Sequence, residues 1–375
     1  MGVTIVVKIG TTEAVKKHCA WIQETVRLIA LNPCNIASEQ ELTTDGAAQA
    51  ALHDRAAEAA RKNFGTSAFV RAVVEVSNYC RENCAYCGMR RANRELHRFR
   101  AQAEQIADFL IHHRPTSVTD INIQAGEDPV AVRDVVLPLV RILRRETPLG
   151  ISVCLGILPP ELYAALKAEG ATIYIIKFEC SNAADYERLE APGTLSSRVR
   201  SIRTLADTGW NVSSGFIVGL PGHGPRELAA NLQFAGTLPL RGCSVSPFIP
   251  GEATPLAKAP SANVDWTLNC IAALRLMRPD WVIPAVSALN LVEKDGYRRG
   301  LRAGANLVTI NLTPDEFRGD YVIYRRDRFI MTEERVLAAV EAAGLVPSRQ
   351  SLADFYRNGL CCSPRPIQTA QPAVS

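Results

Sequence analysis

Eight short runs rich in β-branched and apolar residues recur along this chain, at 70–76, 118–124, 150–155, 172–177, 211–218, 243–248, 281–286 and 307–310. Between them lie segments with helical periodicity, among them 104–113, 130–145, 160–168, 197–208, 226–235, 266–277 and 297–303. Strands that alternate with helices pair in parallel, because each helix is the crossover that returns the chain to the same edge. Eight such units predict an α/β fold, a closed (β/α)8 barrel of TIM type, and 375 residues is a length that one barrel accommodates. An N-terminal extension over 1–66 is expected to pack helices on the barrel, one of them an Ala-rich helix over 47–63 across one end. The barrel domain is expected over 67–350, followed by a short C-terminal tail over 351–375 whose composition predicts disorder.

Hydrophobic content of 47% and charged content of 21% suit a folded chain with a sizeable core. The net charge of +4 comes without a long Lys/Arg tract, which argues against a nucleic-acid partner. No apolar run is long enough to cross a bilayer, and the first residues lack the apolar stretch of a secretory signal. Val6 stands where a myristoylation motif would need Ser or Thr. Eleven scattered cysteines, an odd number, do not read as a disulfide framework, and the expected location is the reducing cytoplasm.

Three of those cysteines crowd into Cys80-Arg-Glu-Asn-Cys84-Ala-Tyr-Cys87. Thiolates at this spacing can hold three corners of a cubane iron–sulfur cluster and leave the fourth iron open. A zinc site would need a further ligand; no second cysteine pair is near, and His97 is the only histidine close downstream. The basic run Arg90, Arg91, Arg94, Arg98 and Arg100 follows, readable as a solvated helix face or as part of an anion site. After the second strand comes Gln124-Ala-Gly126-Glu127-Asp-Pro, where Gly126 permits close backbone approach and Glu127 offers a carboxylate at the barrel mouth or a helix N-terminal acid. Glu179 ends the fourth strand, Arg198 lies on the next helix, and the fifth strand ends in the turn 219–222.

These motifs resemble the radical S-adenosylmethionine (SAM) superfamily, in the biotin-synthase-like branch that includes the iron-only hydrogenase maturase and methylornithine synthase. The likeness extends over about residues 50–350, through Pro247-Phe-Ile-Pro250, Thr254-Pro-Leu256, Ile283-Pro-Ala285 and Gly304-Ala-Asn306. It implies one 4Fe–4S cluster on Cys80, Cys84 and Cys87, Tyr86 at the adenine side, and Gly126, Glu127, Glu179 and Arg198 as SAM contacts. It also implies reductive cleavage of SAM to a 5′-deoxyadenosyl radical and an electron donor such as flavodoxin or ferredoxin, with a partner enzyme of the same pathway left open. The radical would act on a small amino-acid-like or sulfur-containing substrate, in a carbon-skeleton rearrangement or in metallocofactor maturation. Candidate substrate or auxiliary residues are Cys154, Cys180, Ser246, Ser287, Asn290, Asn311 and Thr313. Two alternatives stand beside this reading. One is sulfur insertion of the biotin or lipoyl synthase type, with Cys361 and Cys362 serving a second iron–sulfur cluster or as a sulfur source. The other is a non-catalytic iron–sulfur or zinc scaffold. The chain departs from biotin synthase in having Ser213 and Ser214 where a barrel cysteine is expected, and Ile283 where an arginine is.

Overall fold

The computed structural model describes residues 37–326 and 330–359. Strands β1 (Ser67–Ser77), β2 (Asp120–Ala125), β3 (Gly150–Cys154), β4 (Ile173–Ile175), β5 (Asn211–Val218), β6 (Gly242–Pro247) and β7 (Leu307–Asn311) pair in parallel in the order β6-β5-β4-β3-β2-β1-β7. The run expected at 281–286 is extended chain rather than a regular strand. Val282 bridges Gly242 on β6 and Pro284 bridges Leu307 on β7, both in parallel. The Cys243 N–H donates to the Val282 carbonyl (3.3 Å) and the Ala285 N–H to the Leu307 carbonyl (2.9 Å). Pro284 has no N–H to donate, so this stave cannot carry a continuous ladder. With it, eight staves close the ring.

The period of two in the strands separates the faces of this ring. On β1, Val70, Ala72, Val74 and Val76 pack in the core between sheet and helices, whereas Phe69 meets Ile173, Val282 and Leu307 from staves around the lumen. The N-terminal end of the lumen is stoppered with apolar groups. Phe64, the last residue of the helix Gly46–Phe64, packs there against Phe69 and Leu352, with Phe355 and Tyr356 alongside. The Phe355 ring lies 5.5 Å from that of Phe64 and 5.4 Å from that of Phe69.

The tail therefore departs from the expectation of disorder beginning at 351. Ser351 caps a helix, Leu352–Asn358, and β8 (Val346–Pro347) pairs with the start of β1 before it. The Asp120 carboxylate accepts the Leu352 N–H at 2.9 and 3.1 Å, fastening this helix to the floor. Residues 1–36, with Cys19 and Cys34, and 360–375, with Cys361 and Cys362, lie outside the described residues. No helix among the described residues is long and apolar enough to cross a membrane.

Candidate active site at the barrel mouth

β1 gives way at its C-terminal end to an irregular loop that carries Cys80, Cys84 and Cys87 as free thiols. Hydrogen bonds hold the loop in place of regular structure. The Arg98 guanidinium donates to the carbonyls of Asn78 (2.6 Å), Met89 (2.9 Å), Arg90 (2.8 Å) and Asn93 (3.2 Å). Asn78 donates to the carbonyls of His97 (2.7 Å) and Asp320 (2.8 Å), and accepts the Phe99 N–H at 2.8 Å. The basic run is thus not a helix face. Arg90 is buried against Glu190 (3.1 Å), and Arg100 forks onto Asp128 (2.6 and 3.0 Å) while lying over the Tyr79 ring. Asp128 in turn accepts the Ser77 hydroxyl at 2.8 Å. The sequence names Arg98 only as one of the basic run, as a helix face or part of an anion site, and gives Asn78 and Asp128 no role of their own.

The donor set fits an iron–sulfur cluster. Burial raises all three thiols, Cys87 to about 12, and the neighbouring thiols and acids push the same way. Thiolates held this close need a positively charged centre among them, which a cluster's irons supply. Backbone N–H groups of Glu82 and Glu127 donate to the Cys80 sulfur, and that of Met89 to the Cys87 sulfur. Among the described residues no three His, Cys, Asp or Glu side chains converge as ligands of a single ion. A cubane takes each sulfur on a different iron, so convergence on one point is not required.

Beside the thiols lies a compact set of charges. Glu127, 7% exposed, pairs with Arg198, 3% exposed, at 2.9 Å, and with the half-exposed Arg81 at 3.2 Å. Burial raises the Glu127 carboxyl, and Arg198 and Arg81 pull against that rise. The N-cap Thr194 accepts the Ser197 N–H and starts the helix Leu195–Asp207, whose first turn delivers Arg198. A Cβ at Gly126 would lie 2.2 Å from the Tyr79 carbonyl, and one at Gly156 would meet the Glu127 carboxyl at 2.1 to 2.2 Å, so both positions must be glycine. Glu179 takes a φ of 61°, a left-handed conformation costly for a residue with a side chain. Backbone bonds to Gly215 and Ile217 of β5 hold it there. Burial raises its carboxyl, opposed by Lys177 and Arg198. The Tyr86 hydroxyl is buried in the same region, beside the Cys84 sulfur.

Below this set the lumen is polar. Lys177 donates to the Ser246 hydroxyl at 3.2 Å. Burial works against its charge, but Glu179, Tyr324 and Cys154 hold it above the usual lysine value. The Thr313 hydroxyl donates to the buried Glu75 carboxylate (3.1 Å), and Asn311 accepts the Thr313 N–H (2.9 Å). Along the strands, Cys154 pairs with Gln124 beside Glu75, Ser152 donates to Asn122 at 3.0 Å in the row below, and Arg71 pairs with Asp120 below that.

The structure thus brings Cys154, Ser246, Asn311 and Thr313 to the lumen. It does not bring three others. Cys180 is fully buried in the core between sheet and helices. Asn290 is spent on the Tyr297 N–H (3.0 Å) and the Met331 sulfur (3.3 Å), and Ser287 is exposed at the start of a short helix. Glu75, Lys177 and Gln124 were not singled out from the sequence, although a charged or amide residue inside a β-branched run signals a lumen-facing position.

A closed parallel barrel with three thiols on the loop after its first strand defines a class of protein, and residues 74–235 match the model of the radical SAM superfamily. The chain belongs to that superfamily. It is 31% identical over 304 residues to the [FeFe] hydrogenase maturase subunit HydE of Thermotoga maritima, covering 80% of this chain and 87% of that one. It is 29% identical over 300 residues to 3-methylornithine synthase of Methanosarcina barkeri, covering 78% and 83%. The fold matches the crystal structure of methylornithine synthase (PylB) with a TM-score of 0.76, at 23% identity over 90% of this chain and 99% of that one.

Proposed function

We propose that Cys80, Cys84 and Cys87 hold one 4Fe–4S cluster, that Glu127, Glu179 and Arg198 bind SAM beside it, and that the lumen encloses a small amino-acid-like substrate. The observation that carries this reading is the placement of three free thiols within one short loop next to a buried carboxylate–guanidinium pair, above a polar lumen. Bound there, the cluster and SAM supply methionine and a 5′-deoxyadenosyl radical on reduction.

The rest falls to the chain's own residues. Arg198 presents a fixed guanidinium for a carboxylate, and Glu127 and Glu179 present acids for an ammonium and for ribose hydroxyls. Tyr86, its hydroxyl beside the Cys84 sulfur, lines the adenine side. In the lumen, Lys177 offers a cation and Glu75 an anion, the pair of signs that an amino acid's carboxylate and ammonium require. The aromatic floor excludes water and competing reactants, which a primary carbon radical makes necessary. Cysteines kept as thiols suit the reducing cytoplasm, with a flavodoxin- or ferredoxin-like donor. A scaffold without SAM chemistry would have no use for the costly buried pair Glu127–Arg198.

Iron and acid-labile sulfide per chain after anaerobic reconstitution, together with SAM cleavage, test this reading. One cluster whose Mössbauer spectrum changes on adding SAM, lost in Cys84→Ser along with 5′-deoxyadenosine formation, is the expected result. A Cys84→Ser enzyme that still makes 5′-deoxyadenosine overturns it.

A further inference from the structure

Charge is distributed unevenly over this chain. Between residues 79 and 100 it carries six arginines against two glutamates, and between 318 and 326 three arginines against one aspartate. With 42 basic and 38 acidic residues in all, the remainder of the chain holds more acids than bases. The two segments are neighbours in space. Gly88 donates its N–H to the Ile323 carbonyl at 2.9 Å, and Asn78 reaches the Asp320 carbonyl. Met89, Leu96, Phe99, Tyr321 and Val322 form one small apolar cluster, with Cys87 packed against it.

Part of this charge is committed to structure, as the bonds of Arg90, Arg98 and Arg100 show. Arg91, Arg94, Arg325 and Arg326 instead are exposed. Arg91 and Arg94 take part in no ion pair among the described residues. The neighbouring acids Glu190 and Asp320 are engaged, by Arg90 and by His97 and Arg326, which leaves Glu95 and Glu252 as exposed counter-charges, Glu252 accepting the backbone N–H of Arg326. The protein thus presents a basic rim separated from a cysteine of the thiol loop by one thin apolar layer.

We infer that this rim is the docking surface of an acidic one-electron carrier protein. The inference rests on the cluster reading above and adds the place and sign of electron entry. A cluster on the thiol loop lies beneath this rim, with Cys87 packed against the apolar layer between them, and opposite charge steers association by tenfold to a thousandfold at low salt. Nucleic acid also seeks positive charge, but the rim is short and the rest of the surface is not basic.

The test uses the full-length, reconstituted enzyme and compares reduction of its cluster by photoreduced flavodoxin with reduction by dithionite. For Arg91→Glu/Arg94→Glu the rate with flavodoxin should fall about tenfold at low salt and lose its salt dependence. The rate with dithionite and the iron content should remain those of the parent. Arg91→Lys/Arg94→Lys should retain the parental rate and yield carbodiimide cross-links to flavodoxin carboxylates. Equal flavodoxin rates in the parent and the Glu variant, or salt-independent reduction of the parent, overturn the inference. So does a Glu variant that slows equally with dithionite, or RNA that binds the rim and leaves flavodoxin reduction unaffected. A parent that takes up no iron refutes the cluster reading instead, and iron content tells the two failures apart.

Discussion

Arg198 and Glu127 are each nearly closed off from solvent and 2.9 Å apart, and Glu127 has a second, half-exposed partner in Arg81. Removing Arg198 leaves the buried Glu127 only the half-exposed Arg81, a change that costs up to about 3–5 kcal/mol in buried pairs. Arg198→Met should therefore lower the unfolding free energy by an amount in that range and weaken SAM binding tenfold or more, with iron content unchanged. Denaturant titration and equilibrium dialysis read the two effects separately. The double variant Arg198→Met/Glu127→Gln should recover most of the stability, because no charge is stranded, but none of the SAM affinity. Recovery of both would mean that the pair is structural only. At this scale the sequence is legible where function is written in local spacing. Three cysteines within eight residues and a Gly-Glu pair after a strand are visible without a fold. Arg98 is not, because its role lies in four carbonyls that only the folded loop brings within reach.

The strands are legible because β-branched runs have little else to form, and seven of the eight expected runs become regular strands. The run that fails contains Pro284, whose missing N–H reduces the strand to two bridges. The closing helix Leu352–Asn358 escaped notice for a different reason. Seven residues have too little intrinsic helicity to register, and its stability comes from the floor it packs on. Asp120 is the hinge of that docking. Burial raises its carboxyl from 3.8 to about 6, against the help of the Leu352 N–H and the Thr119 hydroxyl. The folded protein thus holds this proton more tightly than the unfolded chain, so stability from this group rises as pH falls through about 6 and levels off near 4. Between pH 7 and pH 5 the parent should gain about 1 kcal/mol relative to Asp120→Asn. Amide exchange in 352–358 should be faster in that variant at every pH, since an amide NH2 replaces one acceptor of the helix N–H. Deleting 360–375 should leave iron content and SAM cleavage intact, whereas deleting 351–375 removes Leu352 and Phe355 from the floor and should destabilise the whole barrel.

Across the whole molecule, the lumen joins two ends of opposite character, a charged mouth beneath the thiol loop and an aromatic floor. The closed barrel follows from periodicity alone, but the polarity of its interior does not, because a lone Glu75 or Lys177 inside a strand run looks like a break in the pattern until register assigns it to the inner face. That interior makes a prediction separable from SAM chemistry. If Lys177 and Glu75 anchor an amino-acid-like substrate, Glu75 does so apart from the groups that bind SAM, whereas Lys177 also sits in the field of Glu179. Glu75→Gln should then leave 5′-deoxyadenosine formation near the parental rate while uncoupling it from the substrate, whereas Lys177→Met should uncouple it and also weaken SAM binding, because Glu179 loses its neighbouring cation. The readout is deuterium: with a panel of perdeuterated small amino acids, the parent should transfer label from one class into 5′-deoxyadenosine, and each variant should lose that transfer tenfold or more. Loss confined to KM would mark the residue as an anchor only, because an interaction made equally in the ground and transition states changes binding alone. Loss in kcat would mean that the charge also orients the abstracted hydrogen toward the mouth, since a small misplacement at the reacting atom slows the step even when the substrate is bound. Transfer that persists unchanged in both variants would place the substrate elsewhere than between these two charges.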